Sequence, residues 1–237
     1  MATKKVKGSY LTPFERIGGG IFFFLYLLVM PLIMDYIFLG IERLLGTAIS
    51  EASEQRIYYY VMFAVTLIIF YNFIGKNTQR FFGNLNQTLS TWGMALVAFY
   101  GLNELLFRVT RLLWGNGVNL NDVSISAQIS GEPRTTVLIV VFLAPFIEEV
   151  LFRGYVFGSL RDHSRVVAYV VSCVLFAFLH VWQFAAGDLL SISRILLLVQ
   201  YLVPGLVLCW SYDRCGNLWA PILTHMTVNA LYVWANW

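Results

Sequence analysis

Long apolar runs alternate with short polar stretches along the whole chain. A membrane-spanning helix needs about 20 mostly apolar residues, because the hydrocarbon core of a bilayer is about 30 Å thick. Seven runs approach this length and predict transmembrane helices at 18–39, 57–74, 89–107, 136–157, 165–184, 189–210 and 218–237. The pattern therefore predicts an all-α, polytopic bundle of seven spans, or of eight if the long connection after 107 contains another.

Composition supports a membrane protein. Hydrophobic residues make up 59% of the chain, charged residues only 12%, and the mean hydropathy is +0.70, whereas soluble domains carry about 25% charged residues. We expect one membrane-embedded domain over 1–237 that begins with a basic arm at 1–17. A net charge of +3 is too small to suggest a nucleic-acid surface. The expected partners of the chain are therefore membrane lipids and not nucleic acids.

Basic residues in the connections predict the orientation. A cytoplasmic N-terminus places all the lysines on the inner side and gives that side a moderate excess of basic residues, as the positive-inside rule requires. The first span lacks a clear cleavage site and is interpreted as retained. A compact chain with a short basic arm favours the plasma membrane of a prokaryote.

Three charges interrupt the fourth predicted span, in the stretch APFIEEVLFRG. Each charge near the centre of a spanning helix costs roughly 2.5–3.5 kcal/mol, so Glu148, Glu149 and Arg153 must be paired or hydrated. Glu149 and Arg153 are four residues apart and share a helix face, which predicts an ion pair. Glu148 has no such partner and is left to act on something else. Asp35, in the first span, is interpreted as a packing or interfacial residue.

Two further stretches carry polar residues that could work with Glu148. FAFLH ends at His180, and HMTVN places His225 and Asn229 one turn apart. At about 1.5 Å of rise per residue, the four side chains fall in a slab about 10 Å thick near the bilayer midplane. A carboxylate beside an imidazole can deprotonate water, and an imidazole with a carboxamide can stabilise an oxyanion. This set predicts amide hydrolysis without a serine or cysteine nucleophile.

The same side chains leave a metal mechanism open. Glu148, His180 and His225 are all possible zinc ligands, although no HExxH pair is present. A zinc-bound histidine usually donates its other nitrogen to an acceptor, and the obvious acid, Glu149, is committed by spacing to Arg153. We therefore expect no cofactor, with zinc as the alternative.

The motifs EEVLFR, FAFLH and HMTVN, in this order on successive spans, resemble those of the CPBP family of CAAX proteases and bacteriocin-processing enzymes. The motif-bearing core covers 135–229. The resemblance implies that Glu148 and His180 activate water, that His225 and Asn229 bind the oxyanion, and that Glu149 and Arg153 orient the site. It also implies a peptide or a lipidated, CAAX-like protein as substrate.

The sequence departs from the family pattern at one position, and two other functions are compatible with it. Cys209 stands where family members often carry the second glycine of a Gly-x-x-x-Gly after Gly205, which affects helix packing more than chemistry. A transporter would also place acids and histidines in the membrane, but it predicts inverted repeats, and none is visible. A catalytically silent scaffold or immunity protein is the remaining alternative.

Overall fold

Helices make up nearly all of the described chain. The computed structural model describes residues 11–114, 119–182 and 192–237. Its helices are α1 (Pro13–Leu45), α2 (Glu51–Ile69), α3 (Tyr71–Gly83), α4 (Leu85–Trp114), α5 (Leu120–Gly131), α6 (Pro133–Arg161), α7 (Arg165–Val181), α8 (Ile192–Cys215) and α9 (Trp219–Ala235). Helices satisfy backbone hydrogen bonds within one segment, as a bilayer demands. The predicted all-α membrane bundle is confirmed.

The length and composition of the helices identify fewer membrane spans than the seven predicted from the sequence. Within the described ranges, three helices are long and apolar enough to cross a membrane, or four if α2 and α3 count together. Helices α7 and α9 have 17 residues each, and the long connection contains a separate helix, α5. The count of seven stays a prediction. Most of the basic arm, at 1–10, and the predicted span ends at 183–191 lie outside the described residues.

The span predicted at 57–74 is bent, because the chain turns by 81° between α2 and α3. Glu15 supports the bend. Its Oε2 accepts from the backbone N–H of Thr12 at 2.7 Å, and its Oε1 accepts from that of Phe73 at 2.7 Å. One buried carboxylate thus caps the first turns of both α1 and α3, where N–H groups lack helical partners. Hydropathy alone does not predict this contact between residues that are far apart in the sequence.

Helix α6 lies at the centre of the bundle. Of its most apolar stretch, 78% is buried, compared with 22% in α1 and 33% in α8. The helix widens to i→i+5 hydrogen bonding at Val137–Leu143 and again at Val150–Phe157. Pro145 follows the first wide turn and has no N–H to donate to the preceding turn. The wide turn inserts one more residue per turn, which accommodates the hydrogen bond that proline cannot make. The wide turns flank Glu148 and Glu149, and such turns often occur at functional sites.

Small residues let the central helices approach closely. A Cβ added to Gly205 of α8 would lie 3.3 Å from the Cα of Cys173 on α7. The thiol of Cys209, one turn later, lies 3.9 Å from that of Cys173. Cysteine is therefore small enough to continue the α7–α8 contact in place of the glycine that the family often has.

Replacing Gly154 with alanine is expected to destabilise the fold by about 1–3 kcal/mol. The added Cβ would lie 2.6 Å from Cε1 of the buried ring of Phe73, in the contact between α6 and α3. Gly75 on α3 is the matched control, since nothing lies within 4 Å of its added Cβ and alanine favours a helix. Thermal unfolding in detergent measures both variants. Equal melting temperatures for Gly154→Ala and Gly75→Ala would contradict the close contact.

Candidate active site

A cavity of about 1040 Å³ joins the residues that the motifs singled out. Its lining includes Glu148 from α6, His180 from α7, and His225 and Asn229 from α9. The cavity extends to the end of the bundle where α1, α4, α7 and α9 finish and where α2 and α5 begin. The four side chains therefore share one cavity inside the bundle, as the depth argument predicts, and their catalytic roles stay predictions.

The carboxylate of Glu149 is the centre of a buried ionic network. Its Oε1 accepts from Arg153 Nη1 at 3.0 Å, and neither side chain is exposed. Arg153 also donates from Nη2 to the carbonyl of Gly205 at 3.3 Å, and its guanidinium lies 4.2 Å from the ring centroid of Phe176. The i,i+4 pair is present despite the widened turn that begins at Val150. It fixes Glu149 and ties α6 to α7 and α8.

His225 joins this network from α9. Its Nδ1 lies 2.8 Å from Glu149 Oε1, and a carboxylate can only accept, so Nδ1 carries the proton. The other nitrogen, Nε2, can donate to an oxyanion only when the ring is also protonated there. Asn229 donates from Nδ2 to the carbonyl of Val140 at 2.8 Å, which fixes the amide and leaves its second hydrogen available.

Glu148 and His180 lie beside each other without a direct hydrogen bond. His180 Nδ1 lies 2.9 Å from the carbonyl of Phe176 and therefore donates to it. This directs Nε2 towards Glu148 Oε2, at 3.8 Å, a separation too long for a hydrogen bond. Glu148 is only 6% exposed, and its Oε2 has no hydrogen-bond partner in the described chain. One small polar molecule can contact both atoms at once.

Tyr201 of α8 holds the imidazole of His180 from one side. The rings stack with centroids 4.5 Å apart and an interplanar angle of 20°. Phe176 packs against the same imidazole, with centroids 4.5 Å apart. Sequence reasoning missed Tyr201, because one tyrosine in an apolar span carries no signal of its neighbour on another helix.

Comparison with known proteins addresses the same part of the chain. Residues 131–231 match the family described as "Type II CAAX prenyl endopeptidase Rce1-like". This confirms the resemblance to the CPBP family. The matched segment contains all six predicted site residues, and it supports a protease-like function in general while leaving the catalytic type open.

A relative from Lactococcus lactis subsp. lactis (strain IL1403), UPF0177 protein YxdF, is 26% identical over 160 residues. The alignment covers 62% of this chain and 81% of the relative. No solved structure matches the chain at a significant level.

The zinc alternative requires Glu148, His180 and His225 to converge on one point. Within the described ranges, no group of three or more histidine, cysteine, aspartate or glutamate side chains is arranged to hold a metal ion. The Nδ1 of His225 is directed to Glu149, which the guanidinium of Arg153 already neutralises.

Acidic residues at the mouth of the cavity are the other feature that the sequence did not indicate. Asp35, interpreted as a packing or interfacial residue, lines the cavity together with Glu51, Glu54 and Asp122. Burial raises the pKa of the Asp122 carboxyl to about 6, so this group carries its full charge only above that pH. The four acids come from three helices, and spacing in the sequence relates only Glu51 and Glu54, which are three residues apart on α2.

Proposed function

We propose that the chain is an intramembrane endopeptidase that hydrolyses a peptide bond with water activated by Glu148. The observation that carries the proposal is the buried carboxylate of Glu148, whose unpartnered Oε2 lies beside His180 Nε2 in a cavity. The Rce1-like match of residues 131–231 supports a protease.

In the proposed reaction, water lies between Glu148 and His180 and donates one hydrogen to each. In this step Glu148 acts in its ionised form and the proton of His180 is on Nδ1, so both groups can accept. The oxygen lone pair of the water then points away from both groups, towards a substrate carbonyl. Glu148 takes the proton as the new C–O bond forms, and it delivers the proton to the leaving nitrogen as the C–N bond breaks.

The oxyanion formed by this attack needs hydrogen-bond donors. We assign this role to Asn229, whose second amide hydrogen is available, and to His225, which lies one turn earlier on α9. Glu149 stabilises the imidazolium form of His225 that can donate from Nε2. Glu149 and Arg153 thus orient the site and stabilise its charge, and they do not contact the scissile bond.

The proposal includes no metal or other cofactor. Glu148 and His180 supply the base and the position of the water, and Asn229 and His225 supply the oxyanion donors, so no step requires a Lewis acid. The pairing of Glu149 with Arg153 fixes the carboxylate that accepts from Nδ1 of His225, so this network orients one of the oxyanion donors.

The proposed substrate is a peptide or a lipidated, CAAX-like protein that enters from the bilayer. The cavity has a volume of about 1040 Å³, and tyrosine and carboxylate side chains line it. A cavity of this size can hold an extended peptide segment. We place the protein in the plasma membrane of a prokaryote with its N-terminus in the cytoplasm. The source of the relative, Lactococcus lactis, supports only the prokaryotic part of this placement.

Replacing His180 with alanine is expected to lower cleavage by about 10²- to 10⁴-fold, because the water loses one of the two groups that position it. The assay uses purified protein in lipid nanodiscs with a peptide that carries a farnesylated cysteine in a CAAX terminus, and with its unprenylated counterpart. Mass spectrometry identifies the products.

His163→Ala is the matched control, since this histidine is exposed in the turn between α6 and α7 and should not affect the rate. Cleavage of neither peptide by the wild-type protein would favour the silent scaffold. Equal rates for His180→Ala and His163→Ala would contradict the role of His180.

A further inference from the structure

The wall of the cavity has a charge opposite to that of the whole chain. Its described lining contains five carboxylates and neither lysine nor arginine, whereas the chain has a net charge of +3. The five acids are Asp35, Glu51, Glu54, Asp122 and Glu148. A cleft lined by one sign of charge concentrates the field and attracts ligands of the opposite sign.

Arginine does not neutralise the acids at the mouth. In the described part of the chain, the ion pairs of arginine involve three other acids, Glu104, Glu149 and Asp213. Arg56, which follows Glu51 and Glu54 on α2, donates instead to the hydroxyl oxygens of Thr135 at 2.7 Å and of Ser53 at 2.8 Å. The negative charge at the mouth therefore remains available to a ligand.

The acids that line the cavity differ in their exposure. Asp35 and Glu51 are exposed, Glu54 and Asp122 are half-buried, and Glu148 is 6% exposed. Glu148 Oε2 is buried in the same cavity and has no hydrogen-bond partner among the described residues. An unpartnered buried carboxylate is costly without a ligand, so Glu148 also indicates a binding function for this cavity.

We propose that this cavity selects peptide segments that carry lysine or arginine, and that Asp35, Glu51, Glu54 and Asp122 are the residues that determine this specificity. The inference rests on the proposed peptidase function for the peptide nature of the ligand. The basic side chains of the substrate lie against the mouth, and the apolar part of the segment extends inwards to Glu148.

The test is a binding measurement on the full-length protein in nanodiscs of phosphatidylcholine, a lipid without net charge. The probes are a short fluorescent apolar peptide flanked by lysines and the same peptide with glutamine in place of each lysine. Fluorescence anisotropy gives both dissociation constants. Asp35→Asn/Glu54→Gln removes two charges from the mouth. Glu104→Gln/Glu132→Gln removes two charges from exposed sites that do not line the cavity, so it is matched in net charge.

The wild-type protein and the Glu104→Gln/Glu132→Gln control should bind the lysine peptide about tenfold more tightly than the glutamine peptide. The Asp35→Asn/Glu54→Gln variant should lose most of this preference and bind the glutamine peptide as the wild type does. Added salt should weaken the preference, because exposed charges are screened.

Two results would overturn the inference: equal wild-type affinity for the two peptides, or an equal loss of preference in both double variants. The dissociation constants are measured independently of any cleavage of the peptides. A lysine preference with no cleavage of any peptide would therefore contradict the proposed peptidase and leave the cationic site standing. Cleavage without a lysine preference would contradict this inference and leave the peptidase standing.

Discussion

Replacing Glu148 with glutamine is expected to lower the rate of peptide cleavage by about a thousandfold or more, because the amide cannot accept the proton of the attacking water. The same change should leave the fold as stable as the wild type, or more stable. Glu148 is buried and its Oε2 has no hydrogen-bond partner in the described chain, and a neutral amide is less costly to bury than an unpaired charge.

The cleavage rate of this variant should therefore fall while its melting temperature does not. Glu104→Gln is the control, since Glu104 is exposed on α4 and should change neither quantity appreciably. A residual rate within tenfold of the wild type would contradict the role of Glu148 as base. A large drop in melting temperature would show that Glu148 has a structural role that its surroundings do not indicate.

Replacing Glu149 with alanine is expected to lower both stability and activity. Arg153 would keep only a carbonyl and an aromatic ring as partners, with its side chain fully buried. Leaving one charge of a buried pair unpaired typically costs about 3–5 kcal/mol. His225 would also lose the acceptor that fixes its ring. Thermal unfolding and the peptide assay measure the two losses separately.

The chain contains a matched control for this prediction. Glu104 and Arg108 form another i,i+4 pair, with Nη2 and Oε1 2.7 Å apart, but their side chains are 57% and 75% exposed. An exposed pair contributes about 0–1 kcal/mol, so Glu104→Ala should have little effect on the melting temperature. Equal losses for Glu149→Ala and Glu104→Ala would contradict the buried network.

A compensating change separates the structural role of Glu149 from its role in orienting the site. Glu149→Gln/Arg153→Met removes both charges and keeps similar volumes, which for buried pairs is often neutral or stabilising. This double variant should recover much of the lost stability and none of the activity, because His225 still lacks a carboxylate. Recovery of full activity would show that the network is only structural.

The features that the sequence predicts are those that depend on spacing within one helix. Runs of apolar residues predict the helices, and four-residue spacing predicts the contact of Glu149 with Arg153. Motif order and depth indicate that α6, α7 and α9 contribute to one cavity. These inferences hold because the rise and periodicity of a helix are nearly constant.

The features that the sequence does not predict depend on contacts between distant segments. His225 meets Glu149 across 76 positions, and Glu15 caps a helix that begins near Phe73, 58 positions later. Tyr201 stacks on His180 from a different helix. Such contacts follow from packing and bending, which hydropathy and local spacing do not encode.

The most direct test of the account is cleavage of the farnesylated peptide in isotopically labelled water by wild-type protein that has been exhaustively chelated. We expect the labelled oxygen at the new carboxyl group of the product, at the rate of untreated protein, because water activated by Glu148 is the nucleophile and no metal takes part. Loss of the labelled product on chelation, with recovery on addition of zinc, would contradict metal-free hydrolysis by this site.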